Sequence, residues 1–126
     1  MTDAHTLIEH GANCTLATNN VLNPFTPFGD ASLIRMSSLY ANIAQLGRPQ
    51  ELARCLDMIT VTAARLMRLE RYGIAVGNPA DLIVLPCGSG PSAVAEIVRP
   101  LWGLKRGHRT FFNPPGQLLG PTSLSG

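Results

Sequence analysis

Seven residues, Ala12-Asn13-Cys14-Thr15-Leu16-Ala17-Thr18, set the narrowest limit on how this chain can fold. They carry no charge and follow directly on Gly11, so the run is too short and too abruptly begun for a helix. Apolar character on both faces is the mark of a buried strand of the parallel type. A strand of that kind needs a paired neighbour on each edge, because unpaired N–H and C=O groups invite other chains. The rest of the sequence must therefore supply those neighbours, or another chain must.

What flanks the run is mostly helical. Residues 3–10 read as a short helix with Thr2 as N-cap and Asp3 in a first turn favoured by the helix dipole. Leu7 and Ile8 are its apolar positions, and Gly11 stands just past its end. A loop follows over 19–29 with three Asn, two Pro and two Phe. Asp30 caps the next predicted helix, 31–46, where Leu33, Ile34, Met36, Leu39, Tyr40, Ile43 and Leu46 recur every three or four residues and Gly47 stops it. Pro49 and Glu51 suit the first turn of a third helix with Leu52, Leu56 and Ile59 as its stripe. Thr60 or Thr62 opens a fourth, carrying Ala63, Ala64, Leu66 and Met67. Tyr72-Gly73-Ile74 and Gly77-Asn78-Pro79 are turns. Leu82-Ile83-Val84-Leu85 is a strand bounded by Asp81 and Pro86, and 92–98 holds one or two helical turns. Residues 101–104 and 109–112 flank Lys105-Arg106-Gly107-His108 as a hairpin with glycine at its tip. The charge-free stretch after Asn113 reads as a linker or tail.

Composition narrows the function classes. A chain of 126 residues makes one domain and is too short for a complete (β/α)8 barrel, which takes about 200 residues or more. Charged residues are 14% of the chain where about 25% is usual, while apolar content is an ordinary 45%, so part of the surface is expected to be covered. A net charge of +2 without a basic stripe excludes an electrostatic nucleic-acid binder. Each long uncharged stretch contains Asn, Pro or Gly, so no membrane span is expected. The N-terminus lacks the order of a signal peptide, which makes a cytoplasmic location the expectation. Cys14, Cys55 and Cys87 have no metal-site spacing and read as small buried hydrophobes. His5 and His10 are five apart, on different faces of a helix, and are expected on its solvated surface. With His108 they form no ligand pair, so no metal site is expected.

Three segments in order resemble the C-terminal part of metal-dependent amidohydrolases of the cytosine deaminase and N-isopropylammelide amidohydrolase group. Residues 17–30 (Ala-Thr-Asn-Asn-Val-Leu-Asn-Pro-Phe-Thr-Pro-Phe-Gly-Asp) are similar to that family's last barrel strand and the loop after it. Residues 60–66 with 72–74 are similar to the helix that returns the chain to its second domain, and 77–85 to a strand of a small β-sandwich beside the barrel. The likeness covers about residues 3–112 of this chain and about the last third of a family member. It implies an α+β (partial α/β) fold: a barrel-derived strand and helices over 1–70, sandwich-derived strands and the hairpin over 71–112, and a Pro/Gly/Ser-rich tail over 113–126.

The resemblance also implies a zinc or iron centre in whole family members, and a site in which Asn19 stands where the family has its metal-binding aspartate. An asparagine amide is neutral, a poor ligand for a hard cation and no acceptor of a proton. Asn20 and Phe25 match positions that line the substrate pocket. Against that stands the plainer reading, in which Asn and Pro serve turns and Phe25 and Phe28 pack beneath the loop. On the same reading Met36, Leu39, Tyr40 and Ile43 are core, and Lys105, Arg106 and Arg109 are a solvated hairpin tip.

Two functions follow from different classes. In one, the chain is not catalytic on its own, holds no cofactor, and is a small-ligand-binding or remnant protein. In the other, it is part of a split metal-dependent hydrolase acting on cyclic amidines or nucleobase-like rings with a complementary amidohydrolase chain. Because a barrel strand removed from its barrel has two bare edges, a rearranged homo-oligomer with exchanged elements is expected.

Overall fold

The computed structural model describes residues 2–118. In chain order these form α1 (Ala4–Glu9), α2 (Leu33–Ile43), α3 (Pro49–Asp57), α4 (Val61–Leu66), β1 (Leu82–Val84), α5 (Gly90–Ala95), β2 (Trp102–Lys105) and β3 (His108–Phe112). The part of the expected tail beyond residue 118 lies outside the described residues.

Helix starts follow the side chain best placed to accept the free N–H groups of the first turn. The N-cap of α1 is Asp3 rather than Thr2: its carboxylate accepts from the Thr6 amide at 3.2 Å and the Thr6 hydroxyl at 2.6 Å. In α2 the cap is Ser32, which accepts from the Arg35 amide at 3.2 Å, while Asp30 stays outside the helix. Pro49 opens α3 as the sequence indicates, and Glu51 folds back to accept the Gly47 and Arg48 amides at 3.0 and 2.8 Å.

Helix ends depart further from expectation. Four helices are followed by a residue of positive φ that turns the chain back over the last turn, three of them (α1, α2 and α4) with the same pair of reversed hydrogen bonds. After α1 that residue is Gly11 (φ 88°), with the amides of Gly11 and Ala12 donating to the Ile8 and Leu7 carbonyls. After α2 it is Gln45 (φ 54°), two residues ahead of Gly47, and Leu46 donates to the Ala41 carbonyl at 2.9 Å. Arg68 (φ 55°) does the same after α4, and after α5 Ile97 (φ 51°) turns the chain so that the Val98 amide donates to the Ala93 carbonyl at 3.2 Å. The predicted helix over 31–46 is therefore shorter at both ends.

The stretch 12–18 is neither helix nor strand. A strand exists only as one side of a ladder, and among the described residues helices, not strands, lie beside it. Its polar groups bond to the α3–α4 corner instead: the Leu16 amide to the Met58 carbonyl (3.1 Å), the Asn13 Nδ2 to the Thr62 carbonyl (3.0 Å), and the Cys14 carbonyl from the Thr62 hydroxyl (2.8 Å). The sheet is made of the other three strands, antiparallel in the order β1-β2-β3. Ile83 faces Gly103, and Gly103 faces Phe111. A Cβ on Gly103 would sit 2.6 Å from the Phe111 ring, so the absent side chain is what lets that ring cross the strand. Arg106 (φ 51°) and Gly107 (φ 80°) form the two-residue turn, both left-handed as a type I′ hairpin requires. Asp81 accepts the Arg106 amide at 2.6 Å and pairs with Lys105.

The core lies among the helices: Ala4, Tyr40, Ala41, Cys55, Met58 and Val94 are buried together, with Ile8, Leu16, Leu52 and Leu56 around them. Of the expected α2 stripe, Tyr40 is buried, Met36 is half-buried, and Leu39 and Ile43 are about half exposed. A single helix face cannot hold all four once α1, α3 and α5 choose the side of Tyr40. Cys55 is buried, while Cys14 and Cys87 are only half-buried. No helix among the described residues is long and apolar enough to cross a membrane.

Candidate ligand cleft

The loop between 18 and 30 is built around Asn23. Its amide N–H and C=O exchange hydrogen bonds with Thr26 at 3.0 and 3.2 Å, which puts Pro24 and Phe25 at the tip of a tight turn. Proline's preset φ suits the second position of such a turn. The Asn23 Oδ1 accepts the amides of Phe25 and Thr26, both at 3.0 Å, a local bond that short amide side chains make readily. Its Nδ2 donates to Asn20 Oδ1 at 2.8 Å. Further out, the Leu22 amide reaches the Phe28 carbonyl at 3.4 Å, and Leu22 itself takes a positive φ of 51°. Gly29 (φ 111°) and Ala31 (φ 58°) then turn the chain into α2.

Asp30 and Arg35 lock the far end. The guanidinium Nε lies 3.2 and 3.1 Å from the two carboxylate oxygens and Nη2 lies 2.8 Å from Oδ2, a forked pair. The Ser32 amide adds a third donor to Oδ1 at 3.1 Å. Arg35 first, and the Ser32 amide second, hold the Asp30 carboxyl down to about 2, and Asp30 in turn raises Arg35. Both side chains remain about half exposed, so the pair orders the loop more than it stabilises the fold.

Between this loop and α2 opens a cleft of about 590 Å³. Phe28, Met36 and Leu39 give it apolar walls; Thr18, Asn20, Thr26, Asp30 and Arg35 bring the polar groups. Of the three residues singled out from the sequence, the structure puts one here. Asn20 is half-buried in the cleft lining, whereas Asn19 is exposed and outside it. Phe25, 86% exposed at the turn tip, does not pack beneath the loop, and neither does Phe28, which is 70% exposed and forms the aromatic wall instead. The Asp30–Arg35 pair escaped the sequence reading. Its one signal was opposite charges five residues apart across a helix start, a spacing that means nothing until the chain turns at Ala31.

A second polar cluster sits under α1. His5, expected on a solvated surface, is 8% exposed and stacks on Tyr40 with ring centroids 5.6 Å apart. The Tyr40 hydroxyl accepts the His5 amide (3.2 Å) and lies 3.1 Å from Nδ1, while Nε2 lies 3.4 Å from the Glu51 carbonyl. A carbonyl only accepts, so Nε2 carries the hydrogen and the Tyr40 O–H donates to Nδ1. Every nitrogen of His5 is thereby engaged, which leaves the ring a structural part rather than a ligand. Among the described residues no three His, Cys, Asp or Glu side chains come together in a way that holds a metal ion. With only a neutral amide at Asn19, the zinc or iron that the resemblance implies does not fit the residues of this chain alone.

A sequence profile of the amidohydrolase family matches residues 1–100. The N-isopropylammelide isopropyl amidohydrolase of Pseudomonas sp. (strain ADP) is 31% identical over 102 residues, which are 80% of this chain and 25% of that protein. The structure of 5-methylcytosine deaminase from Klebsiella pneumoniae liganded with 5-fluorocytosine superposes with a TM-score of 0.88 at 27% identity, over 97% of this chain and 30% of that one. The same enzyme liganded with phosphonocytosine gives 0.86 at 26% identity, over 95% and 30%. The chain thus spans 25–30% of the length of these relatives.

Proposed function

This chain belongs to the amidohydrolase family, and we propose that its own part in that family's chemistry is to hold a flat, cytosine-like ring, without catalysing a reaction alone. The cleft of about 590 Å³ between the 18–30 loop and α2 carries this reading. Its size falls in the range of small-molecule sites, and it sets a few polar groups against apolar walls, the usual division between orientation and affinity. Asn20 and Arg35 orient the ring by hydrogen bonds; Phe28, Met36 and Leu39 cover its faces. The exposed amide of Asn19 neither holds a hard cation as a carboxylate does nor takes up a proton, so that position supplies no group to activate water.

Titrating 5-fluorocytosine into the 15N-labelled chain tests this. Shifts centred on the Asn20 side-chain amide, Phe28 and Met36, lost in Asn20→Ala, are expected, with no deaminated product on incubation. An unchanged spectrum at millimolar ligand, or turnover by the isolated chain, would overturn it.

The superposition favours a second reading. This chain follows the path of the solved deaminase closely while spanning 30% of it, which supports a barrel-derived segment that keeps its shape for a complementary amidohydrolase chain. The stretch 12–18, with no strand beside it among the described residues, is where further strands would pair. Zinc or iron would then be held by the complementary chain. Co-expression with the preceding portion of a relative, followed by elemental analysis, separates the two readings. Metal in a co-purified pair, increased by Asn19→Asp, supports this one, and a chain that never co-purifies counts against it.

A further inference from the structure

The amide of Asn20 has a defined orientation, and the reason lies one residue away from the cleft. Backbone N–H groups can only donate, so the two that point at Asn23 Oδ1, from Phe25 and Thr26, identify that atom as oxygen. The other end of Asn23 is then NH2, a donor, and the Asn20 atom it meets at 2.8 Å must be oxygen. What Asn20 has left is its own NH2. Arg35 adds to the same polarity: Nε and Nη2 are spent on Asp30, and Nη1 has no partner among the described residues. The one carboxylate in the lining is already engaged by three N–H donors, with the Arg35 Nε hydrogen shared between its two oxygens. The Thr18 hydroxyl donates to the main-chain carbonyl of Asn20 at 3.0 Å.

We propose that the cleft recognises a flat ring by an acceptor-bearing edge, a ring carbonyl or equivalent oxygen, and that Asn23 is the positioning residue that sets this polarity. The inference rests on the cleft being a ligand site, as argued above, and names which edge of the ligand enters it. Turning the Asn20 amide over would bring its NH2 against the Asn23 NH2, so the chain of bonds from the turn backbone holds the selectivity in place. A ligand edge made of N–H or NH2 groups meets the Asn20 NH2 donor to donor, and its own hydrogens go unmatched.

Acetophenone and aniline test this without a charge difference: both are neutral, single-ring molecules, one ending in a carbonyl and the other in an amine. Binding is followed on the Asn20 side-chain amide signals, with 5-fluorocytosine in parallel. The chain is expected to bind acetophenone at least threefold more tightly than aniline. In Asn23→Asp the turn still has an oxygen for the Phe25 and Thr26 amides, but the second carboxylate oxygen now accepts from Asn20. Its amide turns over, its carbonyl faces the cleft, and the preference inverts. A merely structural role for Asn23 would weaken both probes alike. Asn20→Asp, which leaves the turn untouched, should likewise abolish the acetophenone preference. Equal binding of the two probes by the natural chain, or a ratio unmoved in either variant, overturns the proposal. If 5-fluorocytosine still binds at the cleft in that case, the ligand-site reading stands and only the polarity falls. If none of the three binds, both fall.

Discussion

Replacing Tyr40 by Phe removes one oxygen atom from the interior and nothing else. The ring keeps its stacked position against His5, 5.6 Å between centroids and 16° between planes, so little packing is lost. What disappears is the hydroxyl that accepts the His5 amide and donates to Nδ1. That amide belongs to the first turn of α1, where no helical carbonyl is available, so the hydroxyl acts as a cap supplied from another helix. Leaving a buried polar group without its partner costs about 1–3 kcal/mol. Two groups are orphaned, but His5 borders an open cleft of about 360 Å³ through which water can reach one of them. The expected loss is therefore about 2 kcal/mol, a sizeable part of the 5–15 kcal/mol typical of a domain. For a chain of this length it corresponds to a fall in Tm of roughly 6–10 °C. Urea unfolding followed by far-ultraviolet circular dichroism measures it, in the natural chain and in a His5→Ala background. In that background the Nδ1 half of the loss is already gone, so Tyr40→Phe should cost about 1 kcal/mol less there. A loss below about 0.5 kcal/mol, or an equal loss in both backgrounds, would refute the bonding assigned to this pair.

Two further outcomes follow from the same geometry. The Asp30 carboxyl, held at about 2 against an ordinary 3.8, is charged and clamped at all pH values above the ordinary one, so its contribution to loop order is full there and declines as pH falls from 3.8 towards 2. Carbon-13 titration of that carboxyl should find its midpoint near 2 and move it up in Arg35→Ala; a midpoint near 3.8 in the natural chain would refute the clamp. Ile43, about half exposed on α2 and outside the cleft lining, makes a natural seat for self-association, and we propose the chain forms a homo-oligomer through it. Light scattering at tens of micromolar should give more than the 13.5 kDa of one chain, falling to that value in Ile43→Glu; a monomeric natural chain would overturn the proposal.

Much of the local architecture is legible in the sequence. Pro49 and Glu51 announce the start of α3, Gly107 the tip of the hairpin, and Gly11 the end of α1. The family likeness was legible too, in the run of residues from 17 to 30 and in 77–85. The candidate cleft was legible only in part: Asn20 is in its lining and Phe25 is not, Phe28 standing there instead, and the Asp30–Arg35 pair and the Asn23 hub were not visible. Each missed feature joins residues whose spacing becomes meaningful only after Leu22, Gly29 and Ala31 have turned the backbone.

By itself the sequence determined those features whose physics is complete within a few residues. A proline sets its own φ, a glycine permits a left-handed turn, and an acid or hydroxyl two or three positions from an amide can cap it. Tertiary structure decided whatever needs a partner from afar. The stretch 12–18 has the composition of a strand, yet a ladder takes two strands, and the α3–α4 corner took its hydrogen bonds instead. Gln45 rather than Gly47 reverses the chain after α2, in a turn whose strain at a residue with a side chain must be offset by packing elsewhere. His5 has the pattern of a surface residue and is buried because Tyr40 and Glu51, 35 and 46 positions away, satisfy its nitrogens.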